Sequence, residues 1–171
     1  MDMLRRTLRM AAGCEAEPSL LLVDTQIAKG GQRGVSFHQG HGKYKLNGAQ
    51  RTIPIDYLGL PVAVRVTGSR MHDVRAAKEL LVDVLPTAER VTTIMGDVGF
   101  RGMANGLEAD YGVKAVITFD PDRPKGEFRP WKPLWKVEAA FSELSQWRRL
   151  GRSFEATQAS ATAWMQVAAL G

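Results

Sequence analysis

Cysteine is nearly absent: Cys14 is the only one in 171 residues. A single thiol excludes an internal disulfide and a zinc site built from cysteines, and it agrees with a reducing cytoplasm. Long apolar runs are missing too. None reaches the roughly 18 residues that a membrane helix needs. The basic start MDMLRRTLRMAAGCEAEPS has no long apolar core, so no signal peptide is read there. No internal repeat and no linker-like stretch divides the chain, and its length fits one domain. Acidic residues are in the minority: 18 Asp and Glu against 23 Lys and Arg give a net charge of +5 and a pI of about 9.6. A basic balance favours polyanionic partners, because neutralising phosphates releases counterions.

What is present is an alternation of strand and helix patterns. Residues 4–12 suit a short helix, broken by Pro18 and Ser19. LLLVDTQI (20–27) is a short apolar run turning polar, and reads as a buried strand ending near Asp24. The Gly-, His- and Lys-rich stretch 29–48 has no period and reads as a loop. RTIPIDY (51–57) and PVAVRVTG (61–68) read as a hairpin around Leu58-Gly59, with Pro54 and Pro61 expected at an edge or a strand start. Asp73 is expected to N-cap a helix running to about Leu85, whose buried stripe is Val74, Ala77, Leu80, Leu81 and Val84. VTTIMGDVGF (91–100) is a strand entering a turn, 102–110 a helix and KAVITFD (114–120) a strand. A proline-rich loop follows, then a helix from about Trp135 to Leu150 and a last one from about Gln158. The order implies a mixed α/β domain with one central sheet.

Three acids stand out by position: Asp24 and Asp97 at strand ends, and Glu138 in the first turn of a late helix. Ligands bind where strand ends converge in such sheets. Three oxygen ligands from separate elements suit magnesium, a hard cation. Each acid also has a plainer role. An Asp after a strand serves a turn, and a Glu in a first helical turn complements the macrodipole. On the late helix, taking Glu138 as zero, Ser142, Ser145 and Arg149 fall within about 40° of it at a 3.6-residue pitch. Val137, Ala140, Phe141 and Leu144 fall on another side, as a core face. Glu138 then heads a polar face that ends in a basic residue.

Four segments carry a resemblance. EPSLLLVDTQIAK is similar to EPSxxxxDSQSVK, with Thr25 and Ile27 in place of two serines. NGAQRTIPIDYLGLPVAVRVTGSRMHD is similar to NGRKRHxxVDTLGLxLAVxVTxAxxxD, MGDVGFRG to ADxGYxG, and WKVEAAFSELSQWRRLGRSFE to WxVERTFAWLxRxRRLxxDYE. In this order they resemble the DDE transposases of bacterial insertion sequences, in the group related to insertion sequence five. The resemblance runs from about Glu17 through nearly the whole chain. It implies an RNase H-like α/β fold, a mixed sheet with an antiparallel meander and parallel strands flanked by helices. Residues 1–18 would be a tail or short helix, and 19–171 the catalytic domain. It implies Asp24, Asp97 and Glu138 as a metal-binding catalytic triad holding two Mg2+ ions, with Mn2+ as a possible substitute. It further implies cleavage of transposon ends and strand transfer to target DNA, without ATP or a covalent protein–DNA intermediate. Lys29, Arg33, Lys43, Lys45 and Arg51 become a DNA phosphate track, and Arg148 and Arg149 further DNA contacts. The implied setting is the bacterial cytoplasm, at the nucleoid, as a homo-oligomer on DNA, with an upstream DNA-binding polypeptide as a further partner.

There are departures. Ala49, Gln50, Thr52 and Ala139 stand where the pattern has basic residues or His, so four DNA contacts are expected to be weakened or lost. The family's N-terminal DNA-binding region has no counterpart, and relatives continue past Gly171, which implies a split-frame product or a truncated fragment. The alternative to the enzyme is an inactive fragment that folds or binds DNA without cleaving; a hydrolytic nuclease of the same fold is the third reading. Other features are read plainly. His38 and His41 are polar loop residues, and Asp120 and Asp122 serve a DPD turn. Residues 34–43 lack the phosphate-loop pattern, since Tyr44 follows Lys43. Trp131 and Trp135 pack under a loop or stack on a flipped base.

Overall fold

The computed structural model describes residues 1–31, 35–39, 47–118 and 133–170. Ten elements follow in order: α1 (Asp2–Ala11), β1 (Leu20–Lys29), β2 (Gly48–Ile55), β3 (Arg65–Gly68), α2 (Asp73–Val84), β4 (Thr93–Gly96), α3 (Arg101–Tyr111), β5 (Lys114–Ile117), α4 (Trp135–Gln146) and α5 (Gln158–Ala168). The five strands form one sheet in the order β3-β2-β1-β4-β5. β1–β2 and β2–β3 are antiparallel, whereas β1–β4 and β4–β5 are parallel. This is an RNase H-like α/β sheet: an antiparallel meander joined to parallel strands, with helices on both faces.

The two faces follow from the twofold alternation of strand side chains. Leu21 and Val23 of β1 join α2 and α3 in one core, with Leu80, Leu81, Phe100 and Met103. Leu22 joins Ile53, Ile55 and Val66 under α4 and α5, against Val137, Phe141, Leu144 and Met165. Burial on both faces is why β1 begins as an unbroken apolar run. Of the expected stripe on α2, Ala77, Leu80, Leu81 and Val84 are buried and Val74 is half-buried against the same core; Ala76 joins them.

Several boundaries differ from expectation. β1 runs five residues past Asp24, because β2 pairs with it through Lys29 while β4 accompanies it only over Leu20–Leu22. Pro54 lies inside β2, which is not an edge strand. The regular β3 ladder covers only Ala49 to Thr52, so Pro54 interrupts no pairing on that side. The N-cap of α2 is His72, not Asp73, which is the first helical residue. α4 stops at Gln146, where Trp147 turns extended and Leu150 dives into the core, 5% exposed. Arg149 therefore lies beyond the helix, and the expected polar face running from Glu138 to Arg149 does not form.

α1 buries no apolar side chain. Its two buried residues are Arg5 and Arg9, held by Glu17 and Asp56. Asp56, fully buried, accepts from Arg9 at 2.5 Å and from the backbone N–H groups of Leu58 and Leu60, both at 2.9 Å. One carboxylate thus ties the β2–β3 turn to the N-terminal helix. Among the described residues no helix is long and apolar enough to cross a membrane.

Candidate active site

β1 sets Asp24 opposite Ile53 of β2, on the face covered by α4 and α5. The parallel register of β1 with β4, Leu22 beside Met95, sets Asp97 beside Asp24 when continued two residues past the last pair. Asp97 follows the last residue of β4 and begins a short 3-10 turn, its Oδ1 accepting from the Gly99 N–H at 2.8 Å. Glu138 stands in the first turn of α4, on the same side of the sheet as Asp24.

The carboxyl of Asp24 is pushed up to about 7, chiefly by burial. The Thr25 N–H, donating to it at 2.7 Å, opposes the shift; the charges of Asp97, Glu138 and Asp73 reinforce it. Asp97 and Glu138 are therefore near enough for Asp24 to feel their charge. Among the described residues no group of three His, Cys, Asp or Glu is gathered closely enough to hold a metal ion. The convergence is at the range of charge coupling. In kind the donors fit a hard divalent cation: they are carboxylate oxygens only, and their mutual repulsion is what such a cation relieves.

The raised Asp24 makes stability depend on pH. Between the unperturbed value of 3.8 and about 7 the native state keeps a proton that the unfolded chain has shed. Its contribution is full below pH 4 and is lost as pH rises through 7. Each pKa unit corresponds to about 1.4 kcal/mol, so the loss is a few kcal/mol at most. Thermal melts in a chelator from pH 4 to 8 should show Asp24→Asn gaining on the unsubstituted chain as pH rises. Parallel curves would mean that Asp24 is not held among other acids.

Asp73 is a fourth acid that the sequence reading assigned only to a helix cap. Its Oδ1 accepts from Thr25 Oγ1 at 2.8 Å and from Gln50 Nε2. Thr25 and Gln50 point to the α2 side of the sheet, opposite to Asp24. The alternation along β1 was the signal for this pairing, but it shows only once β1 is known to continue past Asp24.

The expected DNA-binding residues are scattered. Lys29 is exposed at the end of β1, and Arg148 is exposed beyond α4. Arg149 pairs with Glu155 at 2.7 Å and lies over the Trp164 ring at 4.4 Å. Arg51 is 3% exposed, so it is not part of an exposed track; it shares the α4–α5 face with Asp24. Burial pulls its guanidinium down to about 10. Arg33, Lys43, Lys45, His41, Asp120, Asp122 and Trp131 lie outside the described residues. Ala49, Gln50 and Thr52 are buried in β2, so they are not positions from which a surface contact has been stripped. Trp135 is exposed on α4, with the Lys136 ammonium over its ring. His38 is not a simple polar loop residue. It is 3% exposed, and its Nε2 lies 2.8 Å from Ser153 Oγ.

A comparison with curated proteins found no match. A family model described as the transposase DDE domain matches residues 15–132, which takes in Asp24 and Asp97 and stops short of Glu138. The match spans more than half of the chain and agrees with the sheet order, and the chain belongs to the transposase DDE domain family.

Proposed function

We propose that this chain is the catalytic core of a DNA transposase, cleaving transposon ends and joining them to target DNA. Its family is one of DNA phosphoryl-transfer enzymes that generally use divalent metal ions. The observation that carries the reading is the charge coupling of Asp24 to Asp97 and Glu138 at one end of an RNase H-like sheet. Asp24, Asp97 and Glu138 would hold two Mg2+ ions, or Mn2+ in their place. Bound there, the ions supply activation of the attacking oxygen and stabilisation of the leaving one. Burial holds the Asp24 carboxyl above the usual carboxylate range, and it must be ionised to serve as a ligand. Water attacks the phosphate at the transposon end and displaces the 3′ oxygen. The freed 3′-hydroxyl then attacks target DNA, each step an in-line displacement. Lys29, Arg33, Lys43, Lys45, Arg148 and Arg149 hold the DNA backbone. The enzyme works as a homo-oligomer on DNA in the bacterial cytoplasm, at the nucleoid, with an upstream DNA-binding polypeptide as a partner.

A second reading is a chain that folds or binds DNA without cutting. It is favoured by the spacing of the acids, which do not form a ready metal cluster among the described residues. Incubation of the chain with labelled terminal-repeat duplex and Mg2+ or Mn2+ separates the readings. Cleavage followed by joined product supports the transposase. Cleavage alone points to a hydrolytic nuclease, and binding without cleavage under either metal leaves the inactive fragment.

A further inference from the structure

Thr25 is held from both faces of the sheet. Its backbone N–H donates to Asp24 Oδ1 at 2.7 Å. Its hydroxyl, on the opposite face, donates to Asp73 Oδ1 at 2.8 Å. The same oxygen accepts from Gln50 Nε2, and the Thr67 hydroxyl lies 3.5 Å from Gln50 Oε1. Gln50 and Thr67 are buried, 1% and 3% exposed. Asp73, the first residue of α2, thus anchors hydrogen bonds that reach from the helix to β1, β2 and β3.

The place of this anchor gives it a role. The ladder between β1 and β4 ends at Leu22–Met95, whereas the ladder between β1 and β2 goes on to Lys29. Among the described residues, Asp24 and Thr25 therefore have a strand on one side only. The parting of β1 from β4 leaves a crevice at the strand ends, where ligands bind in such sheets. It also removes ladder support from the stretch that carries Asp24. Asp73 supplies a tether to that stretch from α2. A β-branched side chain is stiff at χ1, so fixing the Thr25 hydroxyl restrains the backbone that bears its N–H. That N–H in turn holds one oxygen of the Asp24 carboxyl.

Helix capping alone does not account for this arrangement. An acid that complements a helix macrodipole needs no partner on the sheet. Asp73 Oδ1 has two, on two strands, and one of them is the chain neighbour of Asp24.

We propose that Asp73 is a positioning residue for the acidic site: through the Thr25 hydroxyl it holds the backbone N–H that orients Asp24. In taking Asp24 as a metal ligand, the proposal rests on the transposase reading.

The first readout needs neither DNA nor cleavage. Mn2+ is titrated into the unsubstituted chain, Asp73→Ala, Thr25→Val, Thr25→Ser and the Asp73→Ala/Thr25→Val double variant, with free Mn2+ followed by electron paramagnetic resonance. Melting temperatures are taken without metal. Partners that orient a metal ligand are worth about 10- to 100-fold in metal affinity or activity. Asp73→Ala and Thr25→Val should therefore each weaken Mn2+ binding about tenfold or more. The double variant should be no weaker than the worse single one, because both cut the same relay. Thr25→Ser, which keeps the hydroxyl, should recover most of the affinity. In cleavage of a terminal-repeat duplex, the two single variants should lose kcat by a similar factor with KM unchanged. Lower melting temperatures with full Mn2+ affinity and full kcat would make Asp73 structural and overturn the proposal. So would a loss in Asp73→Ala that Thr25→Val does not share, since Asp73 would then act by its own charge. Should Asp73→Ala not fold, Thr25→Val and its recovery in Thr25→Ser decide. Mn2+ effects as expected in a chain that cuts no DNA defeat the transposase reading and leave the relay standing. Cleavage that is equal in all variants does the reverse. An unsubstituted chain that neither binds Mn2+ nor cuts overturns both.

Discussion

Asp24→Asn, Asp97→Asn and Glu138→Gln are each expected to abolish cleavage of a transposon end while leaving DNA binding nearly unchanged. Each substitution removes a metal-binding charge and keeps the side-chain shape. Metal assistance is worth several kcal/mol of transition-state stabilisation, so the loss should be about a thousandfold or more in rate. Binding should hold or improve, because one charge fewer relieves the repulsion felt at Asp24. The three need not be equal in stability. Asp24 is the most enclosed, and its amide variant is the one expected to gain most in a chelator. Arg149→Ala should behave differently, weakening DNA binding, most visibly at low salt. Cleavage and binding on the same DNA end, across a salt series with magnesium, make the comparison. Equal loss of binding in all four variants would break the division between metal ligands and phosphate contacts. Full cleavage by Glu138→Gln would remove the third acid from the site, and that acid is the one outside the matched family segment.

The second large effect lies away from the site. Asp56→Ala is expected to cost about 3–5 kcal/mol, because it strands the buried Arg9 guanidinium and leaves two turn N–H groups unsatisfied. Against a total stability of about 5–15 kcal/mol, this is a large share. Arg9→Met should cost less, since Asp56 retains its bonds to Leu58 and Leu60. Urea unfolding midpoints at constant slope give the comparison. A loss under 1 kcal/mol for Asp56→Ala would show that the N-terminal helix is not anchored through this pair.

Apolar periodicity carried the sequence reading. The run at Leu21–Val23, the stripe on α2 and the core face of α4 were legible because burial leaves a direct trace in residue type. The alternation of strand with helix gave one central sheet, and the meander with its parallel strands was expected from the resemblance. Polar segments left no such trace. β1 continues through TQIAK because β2 supplies its ladder, and backbone pairing is indifferent to these side chains. The end of α4 was misplaced because Trp147, Arg148 and Arg149 are compatible with helix; the turn is set by Leu150 reaching the core. Asp73, Arg51 and His38 share one difficulty. Each meets partners or neighbours distant in sequence, and a side-chain type alone does not say what lies across the sheet. The acids of the candidate site were visible through their place at element ends and through the resemblance. How tightly they gather was not, since tightness depends on side-chain positions that no spacing encodes.

The strand order also bears on how the chain is made. Of the described strands β1 leaves the ribosome first, yet it ends up in the middle of the sheet, between β2 and β4. Its β2 side is covered soon after synthesis, but its other side waits for Thr93–Gly96. At about 5–20 residues per second, that wait lasts about 3–13 s after Lys29 is added. During it, Leu20, Leu21 and Leu22 present open backbone groups along an apolar strand, a template for pairing with another nascent chain. Chains stalled before Thr93 are therefore expected to aggregate, and those stalled well beyond Ile117, with β4 and β5 in place, to remain dispersed.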